Sequence, residues 1–151
     1  MAKGKKKRAR AQALVIDDKR ARLLDAALDL FEKRGFDAVA VPEIARAAGV
    51  ATGTIYRYFK TKEELVNALY RHWKGAYNEQ ILGPLPEGLS PREIFSLYWR
   101  RMADFARRHY RAVRFLDLHY HAPYLDAKSR AMEGIYMVTA RAFMEAGRKA
   151  G

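Results

Sequence analysis

Residues 43–59 read EIARAAGVATGTIYRYF, a pattern that predicts two short helices joined at a glycine. Apolar residues recur in this stretch at the three- and four-residue spacing of a helix face that packs inward. Gly49 supplies the backbone freedom that a tight turn between two helices requires. The residues expected to face inward or to fill the corner are Ile44, Ala45, Ala48, Val50 and Ile55. Together these features predict a helix-turn-helix, a motif whose second helix fits the major groove of DNA.

Helical spacing continues on both sides of this motif, and alternation typical of strands is rare. A first helix is expected from about Asp18 to Arg34, because Asp17 and Asp18 can cap its start and Gly35 ends it. Since Ala, Leu, Arg and Glu dominate the composition, the sequence predicts an all-α fold. The other helices are expected at about 41–48, 52–59, 62–81, 91–109, 112–121 and 126–148.

The charge balance indicates a polyanionic partner. The formal net charge is +12, and residues 1–16 carry six basic side chains and no acidic one. Nucleic acid and an acidic membrane surface are the two partners that such a charge attracts. Residues 1–17 also lack a periodic apolar face, so we expect a basic disordered arm. This arm either follows the DNA backbone or minor groove, or is a solvated tail.

Several classes of protein lack support in this sequence. The chain has no Cys, which leaves no disulfide framework and no thiolate zinc site. It has no apolar run of the roughly 20 residues that a membrane-spanning helix needs, so we expect a cytoplasmic protein. It also has no Gly-rich phosphate loop, no nucleophile elbow and no Cys–His pair. We therefore expect no cofactor and no enzymatic activity.

The pattern in two segments resembles the TetR (tetracycline-repressor-like) family of bacterial transcriptional regulators. Residues 27–36 follow the pattern AL-x-LF-x-x-x-GF, and residues 44–65 follow IA-x-x-AGV-x-x-GTIY-x-YF-x-x-KEEL. The resemblance covers about residues 19–70 and is specific, because many positions agree at fixed spacing. It implies a helix-turn-helix DNA-binding domain at 18–65, joined by a connecting helix to a helical regulatory domain at 66–151, which binds ligand and dimerises.

The resemblance also implies particular contacts with DNA. Arg57 is the best candidate to read a guanine edge, because its fork reaches O6 and N7 together. Tyr56 and Tyr58 resemble contacts to phosphate or sugar, and Lys62 resembles a phosphate-binding lysine of the family. The full set of expected DNA-binding residues is Thr52, Gly53, Thr54, Tyr56, Arg57, Tyr58 and Lys62.

Two positions depart from the family pattern. The family has Thr or Ser where this chain has Ala40, before the second helix, and often Ser where it has Ala51. Each loss of a capping hydroxyl costs about 1 kcal/mol. Thr52 is an alternative cap for the third helix. Hydroxyls do occur at Thr61 and Ser90, which we expect to cap the helices that follow them.

The second half of the chain is rich in aromatic residues. The resemblance implies an apolar pocket there for a small-molecule effector, whereas the simpler interpretation is plain core packing. The candidate pocket residues are Phe95, Tyr98, Trp99, Met102, Phe105, Phe115, His119, Tyr120 and Tyr136. Asp117, His119 and His121 also suggest a metal site, but positions i and i+2 diverge on a helix, so we expect no metal.

The resulting hypothesis is a sequence-specific regulator, a repressor released from its operator by an effector. A constitutive nucleic-acid-binding protein without an effector is the alternative. The resemblance implies a homodimer on a palindromic double-stranded DNA operator. It also implies two further helices that build the dimer interface, and the chain ends at Gly151, so we expect the regulatory domain to be C-terminally incomplete.

Overall fold

The computed structural model describes residues 2–118 and 123–149, with side chains for 18–117, 123–134 and six positions from 141 to 148. Within these residues the chain forms seven α-helices and no strand, which confirms the predicted all-α fold. The helices are α1 (Ala2–Arg34), α2 (Val41–Ala47), α3 (Thr52–Ile55), α4 (Lys62–Leu82), α5 (Pro91–Arg108), α6 (Tyr110–Leu118) and α7 (Ala127–Lys149).

The chain divides into two compact units within α4. Unit 1 comprises residues 1–66 and unit 2 comprises residues 67–151. The core of unit 1 is built from α1, the two short helices and the first turn of α4. Its fully buried side chains include Leu23, Phe31, Val39, Ile44, Ile55 and Leu65.

The start of α1 differs from the sequence prediction. The helix begins at Ala2, so the backbone of the segment expected to be a disordered arm is helical. Asp17 and Asp18, predicted as caps, lie inside the helix instead. The physical reason is that Lys, Arg, Ala, Gln and Leu, which dominate this segment, have high helix propensity, and no Pro interrupts them.

The corner between α2 and α3 has the predicted architecture. Gly49 adopts φ of +64°, a left-handed conformation that favours glycine. Its N–H donates to the carbonyl of Arg46 at 3.1 Å, and the N–H of Val50 donates to that of Ala45 at 2.9 Å. These two bonds form a Schellman motif that ends α2 and satisfies its last carbonyls. Val50 is buried beside them, as predicted.

The third helix is shorter than predicted. Regular α-helix ends at Ile55, and residues 56–58 form a turn. The N–H of Arg57 donates to Thr54 and that of Tyr58 to Ile55, both at 3.0 Å, which is the tighter three-residue spacing. Branched and aromatic side chains fill this stretch, and they have low helix propensity. The prediction of a helix through Phe59 was therefore wrong at its C-terminal end.

Unit 2 is organised around the buried ring of Phe105. Tyr77 meets it edge-on, with ring centroids 5.3 Å apart, and His109 lies 4.8 Å away. Polar contacts join α4 to the start of α7: Asn67 accepts from the N–H of Asp126 at 2.8 Å, and Arg71 pairs with the Asp126 carboxylate at 2.8 Å. Aromatic packing thus joins α4 to α5, and polar contacts join α4 to the start of α7.

The C-terminus of α4 is held by a side chain from α5. The Arg101 guanidinium donates to the carbonyls of Ile81 at 3.0 Å, Gly83 at 2.9 Å and Pro84 at 2.8 Å. The last carbonyls of a helix have no partner within the helix, so a cation with several donors satisfies them and opposes the negative end of the helix dipole. Arg101 therefore connects α5 to the end of α4.

We predict that Arg101→Gln lowers the free energy of unfolding of unit 2 by about 1–3 kcal/mol, because bonds from a charged donor to carbonyls are lost. Urea unfolding followed by circular dichroism measures this loss. The neighbouring Arg100 is exposed and provides a matched control, for which we expect a change of about 0.5 kcal/mol or less. Equal losses for the two variants would show that the contacts of Arg101 contribute nothing specific.

Candidate nucleic-acid interface

α3 and the turn after it have one buried and one exposed side. Ile55 is fully buried and Phe59 is 3% exposed, so these two side chains anchor the segment to the core of unit 1. Thr52, Gly53, Tyr56 and Arg57 are exposed. Because the two buried residues are four positions apart and lie on one side of the segment, packing of the core fixes which side faces outward. The predicted inward position of Ile55 is confirmed.

Arg57 is one of the exposed residues of this segment. Its backbone N–H is used in the turn, but within the described part of the chain its guanidinium has no hydrogen-bond or ion-pair partner. Tyr56, the residue before it, is 47% exposed. A free guanidinium and an exposed phenol side by side can donate hydrogen bonds to base edges and to phosphates.

Three of the predicted DNA-binding residues are less exposed. Thr54 and Tyr58 are half-buried, and the Tyr58 ring lies 6.4 Å from that of Phe59. Lys62, the first residue of α4, places its ammonium 4.1 Å from the ring centroid of Phe36. This cation–π contact limits the movement of the Lys62 side chain without neutralising its charge. The structure thus places six of the seven predicted residues in the segment 52–58 and Lys62 shortly after it.

An ion pair holds the start of α2 against the end of α1. Arg34 donates to the Glu43 carboxylate at 3.2 Å, and the same carboxylate accepts from the backbone N–H of Ala40 at 2.9 Å. The Ala40 N–H, followed by the Arg34 guanidinium, holds the pKa of Glu43 below its usual value of 4.5. Because the pKa is lower in the folded state, the ionised carboxyl stabilises the fold at pH values above 4.5. This stabilisation is lost as the pH falls and the carboxyl of the folded protein is protonated. Sequence reasoning missed this pair because Arg34 and Glu43 lie on different helices, and the path of the loop between them decides whether they meet.

Both short helices lack a capping hydroxyl, as the departures at Ala40 and Ala51 predict. Ala40 and Ala51 occupy the N-cap positions of α2 and α3, and neither has a side-chain hydrogen bond there. Thr52 is the first residue within α3, so the alternative that it caps this helix is wrong. The hydroxyl predicted at Thr61 does cap α4, accepting from the N–H of Glu64 at 3.1 Å.

The candidate pocket residues of unit 2 whose side chains are described differ widely in exposure. Phe105 and Phe115 are buried, whereas Phe95 is 57% exposed and Trp99 is 63% exposed. Tyr98 and Met102 are half-buried, and the Tyr98 ring meets that of Phe143 edge-on at 6.1 Å. Three candidates have no described side chain, namely His119, Tyr120 and Tyr136.

Two of the side chains that surround Phe105, Trp73 and Tyr77, come from α4, and the prediction did not include them. Trp73 and Tyr77 are one helical turn apart, a spacing visible in the sequence, and both rings meet Phe105 edge-on. Lys74 lies between them in sequence and is half-buried. Burial lowers the pKa of Lys74, although the charges of Glu133 and Asp117 oppose that shift.

No group of three metal-binding side chains occurs among the described residues, and His119 and His121 lie outside them. The helices of that same part of the chain are too short or too polar to cross a membrane.

Two family models match the chain. One describes bacterial regulatory proteins of the tetR family and matches residues 23–69, which include the helix-turn-helix. The other describes the C-terminal domain of tetracyclin-repressor-like proteins and matches residues 73–151.

Curated relatives are similar over about half of the chain. The fatty acid metabolism regulator protein of Bacillus subtilis is 35% identical over 75 residues, which cover 50% of this chain and 39% of that protein. The HTH-type transcriptional repressor KstR of Rhodococcus jostii is 41% identical over 81 residues, which cover 53% of this chain and 37% of that protein. The chain thus spans well under half the length of these relatives.

Solved structures extend the similarity to most of the chain. A tetR family transcription regulator from Shewanella sp. PV-4 has a TM-score of 0.74 and 28% identity, covering 88% of this chain and 71% of that one. One from Marinobacter aquaeolei VT8 has a TM-score of 0.79 at 22% identity, covering 92% and 73%, which supports the fold.

We predict that Ala40→Ser raises the free energy of unfolding by about 1 kcal/mol, because a serine hydroxyl can accept the N–H of Glu43. The backbone at Ala40 already has the extended conformation of an N-cap, with φ of −92° and ψ of 144°. Urea unfolding of the variant measures the gain. Ala38→Ser is the matched control, since Ala38 is exposed and lies before the N-cap. An equal change in both variants would contradict the capping argument.

Proposed function

The chain belongs to the tetR family of bacterial regulatory proteins, and from this premise we propose that it is a sequence-specific DNA-binding transcriptional regulator, a repressor that a small molecule releases from its operator. The main support for the proposal is that one side of the segment 52–59 is buried in the core, while the other side exposes groups that can donate hydrogen bonds. Ile55 and Phe59 are buried, while Arg57 and Tyr56 face solvent. Such a segment can enter a major groove without unfolding any part of the core.

We assign separate roles to the exposed residues. Arg57 reads a guanine edge, because a guanidinium can donate to O6 and N7 at once. Thr52, Gly53 and Thr54 line the groove beside it. Tyr56, Tyr58 and Lys62 bind the phosphate and sugar backbone, which positions the segment without reading sequence.

The proposed operator is a palindrome read by a homodimer. Two copies related by a two-fold axis each place one reading segment in a half-site, with half-site centres about 34 Å or a small multiple of that apart. We place this activity in the cytoplasm, where the operator lies.

The proposed effector site lies around Phe105 in unit 2. Trp73, Tyr77 and His109 surround that ring. Lys74 and Asn78 follow Trp73 and Tyr77 in α4, and the Asn78 amide donates to the carbonyl of Met132 at 3.1 Å. The Oδ1 atom of Asn78 is buried without a hydrogen-bond partner in the described residues. A ligand with an apolar body and a hydrogen-bonding head would satisfy that atom. Because α4 continues from this cluster to Lys62, effector binding can shift the population of DNA-binding states through one helix.

The alternative is a nucleic-acid-binding protein without an effector. The match of residues 73–151 to a repressor C-terminal domain favours the regulator with an effector. The same match supports no enzymatic role, so we propose none.

We predict that Arg57→Ala and Lys62→Ala weaken DNA binding in different ways. Loss of Arg57 should reduce the preference for the best duplex from a random-sequence selection by about 1–3 kcal/mol, because base contacts are lost. Loss of Lys62 should weaken the selected and a random duplex alike and lower the slope of log K against log salt by about 1. Fluorescence anisotropy at several salt concentrations measures both effects.

Thr61→Ala is a useful control for these variants, because it removes the cap of α4 next to Lys62 and leaves the charge unchanged. We expect it to lower stability and to leave the salt slope unchanged. If neither Arg57→Ala nor Lys62→Ala alters binding or its salt dependence, the assignment of this surface is wrong.

The two tryptophans allow a test of the effector site. In Trp99→Phe, Trp73 is the only tryptophan, and we expect its emission to change when an effector binds beside Phe105. In Trp73→Phe the remaining Trp99 is 63% exposed, and we expect no change. Decanoate is the first compound to try, since one relative is a fatty acid metabolism regulator. Release of DNA by a compound that alters only Trp99 would place the site elsewhere.

A further inference from the structure

The N-terminal part of α1 has a concentrated positive charge that the reading surface does not use. Residues 1–16 contain six basic residues and no acidic one, and the backbone is helical from Ala2 through Arg34. The basic residues are Lys3, Lys5, Lys6, Lys7, Arg8 and Arg10.

The described core of unit 1 begins later on the same helix. Among the described side chains of α1, the first buried one is Leu23, and those of residues 18–22 are exposed or half-exposed. The helix therefore extends by several turns before the first described residue that packs in the core.

The charges in this extension act against its own helix. Lys3 and Lys7, and likewise Lys6 and Arg10, have the four-residue spacing at which like charges destabilise a helix. Positive charges in the first turns also repel the positive end of the helix dipole. The first acidic residue in the chain is Asp17, which lies seven positions after Arg10 and is too far to pair with these basic residues at the four-residue spacing. Since the pattern does not stabilise the helix itself, a polyanion that neutralises it would stabilise both the helix and the complex.

We propose that residues 2–16 form a second DNA-contacting segment, which binds phosphates of the duplex without reading its sequence and gains helix stability on binding. This inference rests on the proposed function, because it assumes that unit 1 binds duplex DNA. A helix of this length spans about 22 Å. Duplex DNA presents one phosphate charge per about 1.7 Å of axis, so the same length offers about a dozen phosphates to six cations.

An acidic membrane fits the segment less well than DNA. A helix that lies on a membrane needs a face of large apolar residues opposite its basic face. Residues 2–10 contain only Ala and Gly besides the six cations, and the larger side chains of Leu14, Val15 and Ile16 follow the charged stretch.

The test compares two triple variants of the full chain on a fluorescein-labelled 30-base-pair random-sequence duplex. Lys5→Gln/Lys6→Gln/Lys7→Gln removes three charges from the segment and keeps its helix propensity. We expect the slope of log K against log salt to fall by about 2 to 3, with the preference for a selected duplex over the random one unchanged. We also expect the rise in helical circular dichroism on binding DNA to become smaller than in the wild type.

Arg92→Gln/Arg100→Gln/Lys128→Gln is the matched control, because these three exposed residues lie in unit 2 and the overall charge changes equally. We expect it to leave the salt slope unchanged. The proposal is overturned if the first variant keeps the wild-type slope, or if the control loses as much. It is also overturned if the first variant loses binding to phosphatidylserine vesicles while its DNA slope stays unchanged.

Failure of the proposed function would look different. In that case the wild type would bind selected and random duplexes equally, and Arg57→Ala would change nothing, whatever the charge variants do. A selective wild type that depends on Arg57, with a slope insensitive to residues 5–7, would reject the second segment alone.

Discussion

The left-handed backbone at Gly49, with φ of +64°, turns the chain between α2 and α3 and fixes how the two helices meet. Any residue with a Cβ is strained in this conformation. The space beside Gly49 is nevertheless open, because a Cβ there would lie 3.7 Å from its nearest neighbour, the Nη1 atom of Arg22. The constraint is therefore one of backbone conformation and not of packing. Because the turn lets Val50 and Ile55 reach the core, the exposed side of the next segment, with Arg57, is a consequence of it.

Anchoring and recognition thus use different residues of one short segment. α3 is only four residues long and has no capping side chain, so its own hydrogen bonds contribute little to its stability. Burial of Ile55 and Phe59 holds it in place instead. In unit 2, the aromatic ring of Phe105 and the guanidinium of Arg101 instead join the consecutive helices α4 and α5. The proposed regulator needs both: a reading surface fixed by its anchor, and an effector domain whose packing a ligand can alter.

The sequence was most informative where local chemistry determines the structure. The glycine corner, its inward-facing residues and the caps at Thr61 and Ser90 follow from residue types at short spacing, and the structure confirms them. The prediction that α1 starts at Asp18 was wrong. Asp residues that could act as caps do not interrupt a helix when strong helix formers precede them. Among the pocket candidates, Phe95 and Trp99 could not be separated from Phe105 by composition, since exposure depends on which neighbouring helix packs against each side of α5. The roles of individual residues at the DNA remain proposals.

The central claim, that Arg57 reads a guanine edge, is tested most directly by a cycle that changes the protein and the base together. The measurement compares wild-type and Arg57→Ala protein on a selected duplex containing guanine or 7-deazaguanine at each half-site position in turn. At one position, removal of N7 should weaken wild-type binding by about 1 kcal/mol or more and leave the variant unaffected, because the partner of that atom is already gone. If 7-deazaguanine weakens both proteins equally at every position, Arg57 does not make this contact and the reading surface is assigned incorrectly.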